Sequence, residues 1–120
     1  MILVDTSIWI DHFRQNNGVL VRLLEDQQIL MHSFVIGGLA LGILKQRGLV
    51  LHDLVNLPSV TKASDEEVLV LIERHQFAGS GLGYIDAHLL ASASISGASL
   101  WTRDKRLQQA AVNLGLAWVH

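Results

Sequence analysis

The stretch Met1 to Asp11 reads MILVDTSIWID. Ile2, Leu3 and Val4 form a short run of strand formers, and Asp5 follows at once. Thr6 and Ser7 are candidate helix caps, and a second apolar run, Ile8-Trp9-Ile10, comes after them. The order is buried strand, carboxylate, helix start. A carboxylate at the C-terminal end of a buried strand stands where open α/β sheets place their ligands. The simpler reading is that Asp5 only caps the following helix. Two further aspartates in comparable positions, Asp86 and Asp104, bear on that choice.

Working outward, a helix is expected over about Thr6 to Gln15, then a break at Asn16-Asn17-Gly18 with good turn chemistry. Val19 to Asp26 carries apolar residues at the spacing of one helix face, and Ile29-Leu30-Met31 suits a short strand. Ser33 is the expected cap of a helix over about Phe34 to Arg47, stopped by Gly48. Leu49 to Leu57 suits a short helix ended by Pro58, and Ser59-Val60-Thr61 a strand. Ser64 and Glu67 have the spacing of a capping box for a helix reaching about His75. Ala78 to Gly83 is a glycine-rich loop, followed by a helix from Tyr84 or Ile85 to near Gly97. Ser99 to Thr102 is the next strand, Asp104 to Leu114 the last full helix, and Leu116 to Val119 a final strand. Strands alternating with helices imply an α/β fold: a central, mainly parallel sheet of four to five strands with helices on both faces.

The 120 residues suit a single domain, 1–120, with a real core. Half are hydrophobic, and the mean hydropathy of +0.36 points to apolar surface that meets another chain. A formal charge of −2 argues against a strongly basic, non-specific nucleic-acid binder. The absence of cysteine excludes disulfides and thiolate zinc sites and agrees with a reducing cytoplasm. Asp5 interrupts the apolar N-terminus, which argues against a signal peptide. The longest apolar run, Phe34 to Leu44, is too short to span a bilayer as a helix, so no membrane role is expected.

Asp104 follows its strand as Asp5 does, and Asp86 lies in the first turn of a helix behind the glycine loop. Three carboxylates on one sheet edge would repel one another unless a cation neutralised them. The fitting cation is Mg²⁺ or Mn²⁺, which takes oxygen ligands and keeps several waters. Such a site can activate water and stabilise charge on a phosphate undergoing displacement.

At four stretches the chain resembles the PIN domain family, and within it the VapC-type toxins of bacterial toxin–antitoxin pairs. They are VDTSIWID at Val4–Asp11, HSFVIGGLALG at His32–Gly42, GLGYIDAHLLASA at Gly81–Ala93 and LWTRDKRL at Leu100–Leu107. The resemblance implies a metal-dependent endoribonuclease acting on RNA, with tRNA and rRNA as candidate substrates. It also implies a homodimer inhibited by a cognate antitoxin and located in the cytoplasm. Carried over residue by residue, it makes Asp5, Asp86 and Asp104 the catalytic and metal-binding carboxylates, with Thr6 and Thr102 as hydroxyl neighbours.

The chain departs from the family pattern at one place. The second stretch would read VIGELALG, but Gly38 stands where a glutamate is expected. Two adjacent glycines inside a helix each cost about 0.5–1 kcal/mol relative to alanine. Gly38 either marks a loss of catalytic function or permits a close helix contact. Arg103, Lys105 and Arg106 flank Asp104 and are candidates for holding RNA phosphates. Asp11 is read as a surface residue, with a distal place in the site as the alternative, and Arg14 as a dipole partner at the end of the first helix, with RNA contact as the alternative. The histidines are expected to be structural or exposed, since no pair has the four-residue spacing of a helical zinc motif. Trp9, Trp101 and Trp118 are expected in the core. Two rival functions remain: a PIN-like binding module that no longer cuts, and a phosphatase or other metal hydrolase on the same acidic site.

Overall fold

A computed structural model describes residues 1–119. The elements are β1 (Ile2–Val4), α1 (Thr6–Arg14), α2 (Gly18–Glu25), β2 (Ile29–Leu30), α3 (Ser33–Ala40), α4 (Arg47–Val55), α5 (Asp65–Arg74), α6 (Tyr84–Ile95), β3 (Ser99–Trp101) and α7 (Lys105–Asn113). The sheet order is β2-β1-β3, and both pairings are parallel. β1 is the central strand and is buried along its length, as a strand covered on both faces must be.

The sheet is narrower than the expected four to five strands. Ser59 and Ala117 each make a single parallel bridge, to Met31 and Leu100. Four backbone hydrogen bonds hold these edges: Met31 N to Pro58 O, Val60 N to Met31 O, Leu100 N to Leu116 O and Trp118 N to Leu100 O, at 2.7–2.9 Å. The two outer segments thus lie where the extra strands were expected, but each pairs at one residue only. Proline beside Ser59 lacks an N–H and cannot extend the ladder.

The core is built from β1 and β3, the inner faces of the helices, and Trp9 and Trp101. Trp101 and Trp118 pack with ring centroids 4.6 Å apart. The capping box forms as expected: Glu67 N donates to Ser64 Oγ, and Ser64 N to Glu67 Oε1. Two boundaries differ from expectation. The cap of α3 is His32, whose Nδ1 accepts from Phe34 N at 2.9 Å, and Ser33 is the first helical residue. The helix also ends at Ala40 instead of Arg47. Gly37, Gly38 and Gly42 weaken it, and Arg47 turns back to cover its freed carbonyls, donating to Ala40 O and to Gly42 O. Arg47 then begins α4.

Candidate active site

Val4 pairs with Trp101, so β1 and β3 end side by side at the C-terminal edge of the sheet. Asp5 leaves β1 there and is buried. Its backbone N–H donates to Trp101 O at 3.0 Å, which fixes its place at the strand end. Four donors converge on its carboxylate. Oδ1 accepts from Thr6 N at 2.7 Å and Thr6 Oγ1 at 3.2 Å. Oδ2 accepts from Thr102 Oγ1 at 2.7 Å and Ser7 Oγ at 3.0 Å. A carboxylate offers about four lone-pair sites, so this one is fully engaged.

The same hydroxyls reach the neighbouring backbone. Thr102 Oγ1 accepts from Asp104 N at 3.1 Å, and Ser7 Oγ from Arg103 N at 3.0 Å. The turn between β3 and α7 is therefore tied to Asp5 by two side chains. Asp104 caps α7, with Oδ1 accepting from Leu107 N at 2.9 Å. The capping reading of Asp5 and Asp104 is correct as local structure and does not compete with a shared site. Each cap leaves its aspartate on the sheet edge.

Asp86 stands three residues after Gly83, the cap of α6. Burial pushes its carboxyl above the usual carboxylate range, and the charge of Asp5 pushes it further. A hydrogen bond with the Gly83 backbone pulls it down, and Asp104 pushes it up again. Asp86 thus lies in the field of both other aspartates. The spacing of the three in sequence does not reveal that convergence.

Thr6 and Thr102 stand beside Asp5 as expected. Ser7 is a third hydroxyl on the same carboxylate, and sequence reading treats it only as a cap. Its signal was its position two residues beyond Asp5, at the start of the turn of α1. Gly38 lies on the exposed side of α3, and a Cβ built there would meet Thr6 Cγ2 at 3.2 Å. A side chain at 38 would therefore start against the neighbour of Asp5. The same distance shows that glycine lets α3 approach α1 closely, so both readings of Gly38 keep a structural basis.

Arg103 pairs with Asp11 on α1 and is mostly exposed. Lys105 is exposed at the start of α7. His32 and His88 are buried, and His88, two residues from Asp86 on α6, stands on a different face of that helix. His32 Nε2 and Ser92 Oγ are 3.2 Å apart, and His88 Nε2 lies 3.1 Å from Asp65 Oδ1. Burial, then Lys62 and His88, lower His32 to about 4.

The donor set is oxygen-only, which suits a hard divalent cation. Among the described residues, no three His, Cys, Asp or Glu side chains gather closely enough to hold a metal ion by themselves. An ion on this edge would have to keep waters in several positions, as Mg²⁺ commonly does when bound through one or two carboxylates.

The PIN domain family model matches residues 2–113. The chain belongs to the PIN domain family. Its VapC-type character is supported by Ribonuclease VapC32 of Mycobacterium tuberculosis, strains CDC 1551 / Oshkosh and H37Rv. Each is 50% identical over 118 residues, covering 98% of this chain and 95% of the relative. The PIN domain resemblance read from the four motifs is thereby borne out, as is the parallel α/β architecture. Among the described residues of this PIN domain, no helix is long and apolar enough to cross a membrane.

Proposed function

We propose that this single-domain PIN protein is a toxin endoribonuclease of a type II toxin–antitoxin pair, acting in the cytoplasm, with an impaired site. The observation that carries the reading is geometric: Thr102 Oγ1 ties Asp5 to Asp104 where β1 and β3 end side by side, and Asp86 follows the glycine cap of α6. Similarity to proteins named ribonucleases supports RNA as the substrate class.

Asp5, Asp86 and Asp104 would hold Mg²⁺ or Mn²⁺. When bound, the ion would supply water activation and neutralise charge on the phosphate. Thr102, Ser7 and Thr6 hold the Asp5 carboxylate in one orientation. Because all four lone-pair sites of Asp5 are engaged, a cation must share or replace a donor, and Thr6 Oγ1 at 3.2 Å is the longest of the four. Gly38 removes the carboxylate the family pattern supplies from α3. Losing an outer-shell partner at a metal site costs about 10–100-fold, and an inner carboxylate costs more.

A second reading, a binding module that no longer cuts, is favoured by Gly38 and by the groove beside it. That groove, of about 640 Å³, is lined by Ile10, Phe13, Leu39, Ile43, Arg14 and Lys45 among others. Its apolar walls and two cations suit an antitoxin segment with apolar and acidic residues. Exposed Leu41 and Ile43 agree with a further partner surface, including a homodimer.

The test is Mg²⁺- and Mn²⁺-dependent cleavage of total RNA by the chain and by Gly38→Glu, with Asp5→Ala in the latter as control. Cleavage by the Glu form alone supports an impaired nuclease. Equal cleavage by both forms overturns the impairment. Silence from both favours the binding module.

A further inference from the structure

Arg106 lies on the first turn of α7, two residues beyond Asp104. Its guanidinium rests on the glycine loop that leads into α6. A Cβ built on Gly81 would stand 3.0 Å from Arg106 Cζ and Nη1 and 3.1 Å from Nε. Gly81 has φ of +84°, so it is glycine for its backbone conformation as well as for this contact. The planar face of the guanidinium occupies the space a side chain would fill.

The same loop meets the acidic edge two residues later. A Cβ on Gly83 would lie 3.4 Å from Asp86 Oδ2. Gly81 and Gly83 are separated by at most about 7 Å of chain. Arg106 of α7 and Asp86 of α6 thus lie against two glycines of one short segment, yet they form no ion pair. The two ion pairs among the described residues are His88–Asp65 and Arg103–Asp11. The three cations near Asp104 thus differ: Arg103 is engaged by Asp11, Lys105 is exposed, and Arg106 rests on Gly81 without an ion pair.

We infer that Arg106, held against Gly81, is the side chain that receives an RNA phosphate beside the acidic edge, and that Arg103 is not. The inference rests on the ribonuclease reading above and names a substrate-contacting residue for it. A planar guanidinium presents two parallel N–H donors to one phosphate, and seating it beforehand reduces the ordering cost on binding. The occupant is a phosphate of an RNA backbone, which an exposed guanidinium can hold without reading the bases.

The experiment measures binding of a labelled single-stranded RNA 12-mer to the full chain by fluorescence anisotropy, in EDTA, across a salt series. Cleavage does not enter this readout. Each phosphate contact contributes about 0.7 to the slope of log affinity against log salt for single strands. Arg106→Gln is expected to lower the slope magnitude by about 0.7 and to weaken binding about tenfold. Arg106→Lys keeps the slope and loses part of the affinity, since it keeps the charge without the fork. Arg103→Gln leaves the slope unchanged. RNA binding with the same slope in Arg106→Gln as in the unmodified chain overturns the inference alone. Failure of the unmodified chain to bind RNA overturns the ribonuclease reading with it.

Discussion

Replacing Thr102 by valine removes one hydroxyl and almost no volume. That hydroxyl donates to Asp5 Oδ2 at 2.7 Å and accepts from Asp104 N at 3.1 Å. Thr102 is 7% exposed and Asp5 equally so, so little water can take its place. A hydrogen bond to a charged group is worth about 1.5–3 kcal/mol. The Asp104 amide lies at an exposed turn, where solvent can replace its partner. The expected loss is therefore about 2–3 kcal/mol of folding stability. Urea unfolding in EDTA measures it. With a slope of about 1.5 kcal/mol/M, the midpoint should fall by roughly 1.3–2 M at unchanged slope. Thr102→Ser keeps the hydroxyl and gives up one methyl, so it should lose only about 1 kcal/mol. A valine variant within about 0.5 kcal/mol of the parent would refute the claim that Thr102 anchors Asp5. Equal losses in the valine and serine variants would assign the effect to packing.

Three other outcomes are expected. Asp86 has its pKa raised in the folded state, so the native form holds its proton to higher pH than the unfolded chain does. Stability therefore falls as pH rises from the ordinary aspartate range through the raised value, and Asp86→Asn should flatten that part of a metal-free urea-stability profile. His32 is lowered from 6.5 to about 4, so the unfolded chain binds the proton first. Its contribution is full above pH 6.5 and declines toward pH 4. The stability gap between the parent and His32→Asn, followed by urea titration, should narrow over that window. Ser64→Ala should cost about 1 kcal/mol in the same assay, because it removes the cap of α5 and half of the capping box.

Much of the fold was legible because its signals are local. The strand Ile2–Val4 is a continuous apolar run ended by a carboxylate, and Ser64 with Glu67 is a cap written in spacing. The sequence predicts a helix over 34–47 because apolar content continues past Ala40, whereas α3 ends there. Only the long reach of Arg47 to Ala40 and Gly42 shows that the helix stops. The outer strands at Ser59 and Ala117 have the right residues, but a ladder needs paired length as well as β propensity. Proline at 58 blocks one edge. At the candidate site, Asp5, Asp86 and Asp104 could be named from motifs. The hydroxyl of Ser7 and the field that joins Asp86 to Asp5 and Asp104 depend on how strands far apart in sequence come together. Arg106 could be suspected from the charge beside Asp104, but its seat on Gly81 is a tertiary contact with no sequence signature of its own.

The place of β1 at the centre of the sheet also sets a schedule. Its partner β3 arrives near the end of the chain, and Thr102 meets Asp5 across a separation of 97 residues. At synthesis rates of about 5–20 residues per second, a growing chain carries Asp5 for roughly 5–20 s before Asp104 has been made. During that interval β1 has no β3 to pair with, and Asp5 has the hydroxyls of Thr6 and Ser7 but not that of Thr102. A chain cut short before residue 99 lacks the central pairing as well as the third aspartate. The acidic edge therefore cannot be assembled until nearly all of the chain has been built.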